Sequence, residues 1–217
     1  ALRFTLDRMA AGGIFDQVGG GFHRYSVDAH WTVPHFEKML YDNALLLGIY
    51  ADAACAFGDA TYARVVARAI DYLLREMSIG GGAFATAQDA EVDGREGLNY
   101  VWTAEQVVDA LGEEDGAWTC RIYGLSSGPN FKDPHHPTEP AVNVPRLEDR
   151  PDRLASALGM NDAAFTERLE RVNAGLLRAR SERKAPRLDD KIIAGWNGLL
   201  IAGLARASDL DPRALGT

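Results

Sequence analysis

Pro34-His35-Phe36-Glu37-Lys38-Met39-Leu40-Tyr41-Asp42-Asn43 is the stretch on which the reading of the fold turns. It leads into a long apolar run and reads as a helix that begins near His35 and carries Met39, Leu40, Leu46, Ile49, Tyr50 and Ala53 as far as Gly58. On helical spacing positions 35, 38 and 42 share one face, and 37 and 41 an adjacent one. His35 then sits in the first turn, where the helix dipole disfavours an imidazolium and favours a ring that can take a proton. N-terminal capping and surface ion pairs account for the same residues. A run this dense in His, Glu, Tyr, Asp and Asn, close to a second cluster at His23-Arg24-Tyr25, nevertheless points to function.

Outward from that stretch, helical periodicity dominates. A first helix starts at Leu2, with Leu2, Leu6 and Met9 on one face, and stops at Gly12-Gly13. A third spans Thr61–Met77, with Val65, Val66, Ala69, Ile70, Leu73 and Leu74 as its apolar stripe. Thr103 followed by Gln106 is a capping-box pattern ahead of Val107, Val108 and Leu111. Further helices are expected at Trp118–Tyr123, Asp152–Leu158, Ala163–Arg180 and Lys191–Ala207, the last with Asp189 or Asp190 as N-cap. Gly21–Trp31 and Phe84–Trp102 read as β-hairpins, and Gly124–Pro145, with five prolines, as a long loop. Gly19-Gly20-Gly21 recurs as Gly80-Gly81-Gly82, and Asp28-Ala29 as Asp89-Ala90, both at an offset of 61. Two helices lie between the copies, as a ring of helical hairpins requires. The expected fold is all-α, a partial α/α toroid over residues 1–217 with short β-hairpins between helices.

The 217 residues are enough to bury roughly 70% of the unfolded chain's surface. A net charge of −8 argues against a nucleic-acid partner held through phosphates. No apolar run approaches the roughly 20 residues that span a bilayer, and no charged-then-apolar leader is present, so a cytoplasmic, non-membrane protein is expected. Cys55 and Cys120 have no metal-ligand spacing and fit a reducing compartment. The chain opens without Met, inside a helical pattern, and closes at Ala214-Leu215-Gly216-Thr217 just after another, so we expect part of a larger protein.

Four polar segments carry the chemistry. Asp16–Ser26 is glycine-rich, which suits either a close backbone approach to a ligand or a plain turn; it lacks the spacing of a dinucleotide site. Gln88–Glu91 with Glu96–Trp102 pairs carboxylates with aromatic rings, a set that suits sugar binding. A solvated turn at Asp93-Gly94 explains Glu91 and Asp93, which leaves Asp89 and Glu96 as the functional choices. Asp190, Trp196 and Asn197 open the last helix. Asp133-Pro134-His135-His136-Pro137 has no third ligand nearby, and neither metal nor cofactor is expected.

Together Gly20–Ser26, Pro34–Asn43, the Asp89…Glu96…Trp102 segment and Asp189-Asp190-Lys191…Trp196-Asn197-Gly198 resemble, from Leu2 to Ala207, the proteins with an N-terminal thioredoxin-like domain of unknown function (DUF255 type). The resemblance implies a helical toroid similar to N-acylglucosamine 2-epimerase and six-hairpin glycosidases, with the thioredoxin-like domain and later helices lying outside this chain. It implies a small-molecule, carbohydrate substrate. This chain has Glu91 where family members often have Asp.

Three functions are weighed. An epimerase or isomerase would use His23 and His35 as acid and base and Arg24 on the enolate oxygen. Tyr25, Glu37, Tyr41, Asp42, Asn43, Asp89, Glu96, Tyr100, Trp102, Asp190, Trp196 and Asn197 would hold its sugar. A non-catalytic ligand-binding or scaffold module serving the thioredoxin-like domain is second. An inverting glycoside hydrolase pairing Asp89 with Asp42 or Glu96 is third.

Overall fold

The computed structural model describes residues 1–210; Ala214–Thr217 lie outside the described residues. Among the described residues 51% are helical and a few short strands are present, so the helical expectation holds at that level. In order the elements are α1 (Leu2–Ala11), β1 (Tyr25–Ser26), β2 (Pro34–His35), β3 (Lys38–Met39), α2 (Leu40–Phe57), α3 (Ala60–Tyr72), β4 (Ala87–Gln88), β5 (Glu91–Val92), β6 (Arg95–Glu96), α4 (Ala104–Leu111), α5 (Glu113–Ile122), α6 (Pro151–Ala157), α7 (Asp162–Ser181), β7 (Leu188–Asp189) and α8 (Ala194–Ala207). They form two compact units.

Unit 1 comprises Ala1–Gly19, Tyr25–His35 and Glu91–Ala185. Its core is organised by α7, whose Phe165, Leu169, Val172 and Leu176 recur at four- and three-residue steps and so share one face. They pack with Trp102, Val107, Ile122, Tyr123 and Leu147. Burying each such side chain contributes about 1.5–3 kcal/mol. Asn161 caps α7 by accepting from the Ala164 amide at 2.8 Å, and the Thr103–Gln106 capping box opens α4 as expected. α1 ends at Gly12, which is extended (φ −68°, ψ 171°). Glycine is needed there for space: a Cβ would lie 2.3 Å from the Trp31 carbonyl oxygen. Gln17 closes the helix by donating from Nε2 to the carbonyls of Ala10, Ala11 and Gly12 at 2.9, 3.3 and 3.0 Å. The hairpin β5–β6 turns at Asp93 (φ 54°) and Gly94 (φ 73°), the two successive left-handed residues of a tight hairpin. The proline-rich 124–145 loop is fastened by bridges from Phe131 to Val142 and from Trp102 to Asn143.

The deepest polar contact of unit 1 joins Asp16 to Arg180, 2.8 Å apart with side chains only 5% and 4% exposed. The same carboxylate accepts the amides of Val18 and Gly19, both at 3.0 Å.

Unit 2 comprises Gly20–Arg24, Phe36–Ala90 and the chain from Pro186. Its antiparallel sheet has the order β3-β4-β7, pairing Lys38 with Gln88 and Ala87 with Asp189. α2 follows β3 and α8 follows β7, and the two helices pack together through small residues. A Cβ on Gly203 would lie 2.6 Å from the Ala44 carbonyl oxygen. Tyr50 stacks on Phe22 at 5.3 Å and meets Tyr62 of α3 edge-on at 5.7 Å. Below α3 the chain widens into a π-helical turn, Leu73–Met77, which buries Leu73 and Met77. Leu74, placed in the stripe by helical spacing, is 59% exposed.

Three sequence expectations are corrected. The second helix begins at Leu40, because residues 34–40 alternate between buried and part-exposed with the period of a strand. His35 therefore lies in β2, and the helix-dipole argument for it lapses. The last helix begins at Ala194 after Ile193, without a side-chain cap; Asp189 sits in β7. The two glycine runs are not equivalent. Cβ atoms on Gly19, Gly20 and Gly21 would strike Arg180 Nη2, the Arg68 carbonyl and the Tyr72 ring at 1.7, 2.2 and 2.3 Å, whereas Gly80–Gly82 face open space. The first run is needed for protein packing; the second is a free turn.

Removing one partner of a buried ion pair leaves the other charge unneutralised, so Asp16→Asn is expected to cost about 3–5 kcal/mol in urea unfolding. Asp16→Asn with Arg180→Met should cost less than the single change; equal or greater loss would show that the pair is not coupled.

Candidate functional site

Unit 2 gathers Arg24, Glu37, Tyr41, Asp42 and Trp196. The gathering starts in the backbone: the Arg24 amide donates to the Glu37 carbonyl at 2.8 Å, laying residues 22–24 beside 36–37. The Arg24 guanidinium then meets Glu37 Oε2 at 2.8 Å. The hydrogen bond to Glu37, followed by Tyr41, raises the Arg24 pKa above its ordinary value. Tyr41 and Trp196 contact edge-to-face at 4.8 Å. Asp42 lies in the first turn of α2, part-buried, and its Oδ2 is buried with no hydrogen-bond partner. Burial pushes its carboxyl up to about 6; Arg24 and Tyr41 pull it back only in part, and the negative charge of Glu37 adds to the rise. A carboxyl with this pKa exchanges protons close to neutrality.

Other expected site residues of unit 2 have structural work. His23, expected as an acid or base, is 2% exposed and edge-on to Phe36. Its Nδ1 lies 2.8 Å from the Phe36 carbonyl, which only accepts, so Nδ1 carries the hydrogen. Asn43 accepts from the Phe22 amide at 2.7 Å and donates to the carbonyls of Phe22 and Met39 at 3.0 and 2.9 Å. Asn197 repeats the device, accepting from the Phe84 amide at 2.9 Å and donating to Phe84 and Ile193 at 3.1 and 3.2 Å. Each asparagine clamps one phenylalanine backbone and the carbonyl four residues before itself. Asp89 and Asp190 are exposed. Lys38, not among the expected site residues, is fully buried. Its Nζ donates to the Gly20 carbonyl at 2.9 Å and lies 4.2 Å from the Tyr72 ring centre. Burial alternates along residues 34–40 and turns Lys38 inward and Glu37 outward; a lysine at an inward position leaves no sequence signal for it.

Unit 1 brings together Tyr25, His35 and Glu96. Tyr25 faces His35 across the β1–β2 pair, their rings stacked at 4.9 Å. His35 Nδ1 is bound by Glu96 Oε1 at 2.9 Å, so the ring is oriented by a carboxylate. Asp133 accepts from the amides of His135 and Glu96 at 2.8 and 3.3 Å and from His136 Nδ1 at 2.9 Å. Burial opposes its ionisation, yet these bonds hold its carboxyl below the usual range. The two histidines thus order a loop, and among the described residues no His, Cys, Asp and Glu group could hold a metal ion. Tyr100 and Trp102, expected to stack on a sugar, are 4% and 1% exposed. Guanidinium groups lie over them: Arg180 at 5.3 Å from the Tyr100 centre and Arg183 at 3.8 Å from that of Trp102. That correction follows from charge: the ring faces are used by cations of their own unit.

The Asp42 shift has a measurable sign. Its folded value, about 6, exceeds the ordinary 3.8, so ionisation destabilises the fold. The stability that protonated Asp42 contributes should be fully present below about pH 4 and fall away as pH rises through 6. Asp42→Asn should abolish that fall and raise stability at pH 7.5 by about 1 kcal/mol, allowing for solvent screening at a part-exposed group. Denaturation across this pH range checks it; an unchanged slope would place the titration elsewhere.

No family model matches the chain. It is 37% identical over 218 residues to spermatogenesis-associated protein 20 of Homo sapiens, covering 93% of this chain and 28% of that protein. The Mus musculus protein of the same name matches to the same extent. An uncharacterized protein of Caenorhabditis elegans is 32% identical across 95% of this chain and 30% of its own length. The chain therefore spans less than a third of these relatives. No helix among the described residues is long and apolar enough to cross a membrane. Along nearly its whole length the chain is thus similar to a segment of the proteins named spermatogenesis-associated protein 20.

Proposed function

We propose that the chain is part of a carbohydrate-active α/α toroid, of epimerase or isomerase type, in a larger protein that also carries a thioredoxin-like domain. The observation that supports this reading is the Asp42 carboxyl, with one buried oxygen unpartnered and a pKa of about 6. In this proposal Asp42 removes the proton from a carbon beside the sugar carbonyl. The electron pair moves to the carbonyl oxygen, where Arg24 stabilises the enolate, and the proton returns to that carbon or its neighbour. Glu37 holds Arg24 in place. Tyr41 and Trp196 offer rings to the sugar's C–H face. His23 becomes a positioning residue for the 22–24 segment, while His35, bound to Glu96, remains an acid–base candidate within its own unit. Asn43 and Asn197 hold backbone and are not assigned to substrate.

Incubation of the intact protein with a panel of reducing sugars in deuterated water, followed by NMR, tests the proposal. Solvent deuterium should enter beside the carbonyl, and Asp42→Asn should slow entry by about 10²–10⁴-fold with the fold retained. Cleavage of glycosides without exchange would favour the inverting hydrolase. Binding with neither reaction would favour the ligand-binding module, and with it the scaffold role for the thioredoxin-like domain.

A further inference from the structure

A cavity of about 300 Å³ lies within unit 1, and none of its lining residues takes a role in the sugar chemistry proposed above. Val92, Leu98, Val101 and Val142 form apolar walls, and Arg183 and Gln106 contribute polar groups. The Arg183 guanidinium lies over the Trp102 ring, and its Nη1 donates to the carbonyls of Asn99 and Val101 at 3.1 and 2.8 Å. Its Nη2 reaches only Gln106 Oε1, at 3.5 Å. No carboxylate pairs with Arg183 among the described residues. Burial, and then the like charge of Arg180, pull its pKa down to about 10. Arg180 is neutralised by Asp16, and the other charges on the wall, Lys184 and Asp93, are bound to each other. The cavity thus presents one guanidinium without a counter-charge above an apolar floor.

A part-buried cation without a counter-ion is incompletely compensated, and an anion beside it would complete it. Two Nη1 hydrogens are held by backbone carbonyls, leaving Nε and Nη2 as the edge for an incoming oxyanion. The apolar walls suit a short hydrocarbon body but not a bare inorganic ion. We propose that this cavity binds a small organic anion, a carboxylate or phosphate ester on an apolar body, with Arg183 as its charged anchor. The proposal is independent of the sugar reading, which rests on Asp42.

Calorimetric titration of the intact protein with hexanoate, hexyl phosphate, 1-hexanol and inorganic phosphate tests it. At least one of the two amphipathic anions should bind, about tenfold or more tighter than 1-hexanol and inorganic phosphate, and the better one identifies the head group. Gln106→Glu places a carboxylate within reach of Arg183 while keeping the capping box, which glutamate serves as well as glutamine. It should weaken the anion about tenfold or more without lowering the melting temperature. Leu98→Trp, at a wall residue 40% exposed, should block the cavity without touching that cap. Binding of 1-hexanol or inorganic phosphate as tight as the anions, binding of neither anion up to millimolar concentration, or unchanged affinity in both folded variants would overturn the proposal.

Discussion

The Asp16–Arg180 pair sets more of unit 1 than any other contact. An aspartate two residues beyond Ile14 and an arginine near the end of α7 are brought together out of water, and the pairing fixes what can surround them. Gly19 has to lack a side chain because Arg180 occupies the space. Two amides of the same loop turn inward to complete the carboxylate. Three residues on, past the end of α7, Arg183 lies over Trp102 and donates to two backbone carbonyls and to Gln106, with no carboxylate partner among the described residues. One buried pair thereby sets the shape of a loop.

Much of the helical skeleton is readable from local pattern. The Thr103–Gln106 box, the apolar face of α7 and the Asp93-Gly94 turn all follow from neighbouring residues, and each forms where its chemistry indicates. The stretch at 34–40 is different. Its buried positions are Pro34, Phe36, Lys38 and Leu40, and a lysine at an inward position breaks the apolar alternation that would announce a strand. The stem of Lys38 is apolar and its ammonium finds a carbonyl and a ring, an outcome that depends on Gly20 and Tyr72 and not on adjacent sequence.

The candidate site was legible by residue type but not by role. Arg24, Glu37, Tyr41 and Asp42 do gather, because residues 22–24 pair with 36–37, whereas the asparagines and His23 among them serve the backbone. Pairing across the chain decides which polar groups are already satisfied, and residue identity cannot. The glycines that recur at an offset of 61 sit in unlike settings. The structural repeat is Asn43-Ala44-Leu45-Leu46-Leu47 against Asn197-Gly198-Leu199-Leu200-Ile201, two helices entered from strands of one sheet and clamped in the same way.

The second clamp has a chemical consequence for the lifetime of the molecule. Asn-Gly is the dipeptide in which the following amide nitrogen most readily attacks the side-chain carbonyl, expelling ammonia through a cyclic imide. At Asn197 the side chain is fastened at both ends and Gly198 is held in α8, so the folded chain keeps nucleophile and carbonyl apart. The attack is confined to excursions in which the clamp opens. Once it occurs, the resulting carboxylate can only accept hydrogen bonds, and it faces two carbonyls that also only accept. Ageing at residue 197, read by peptide mass spectrometry, would therefore record the cumulative time that α8 spends undocked, and each event would make the next undocking easier.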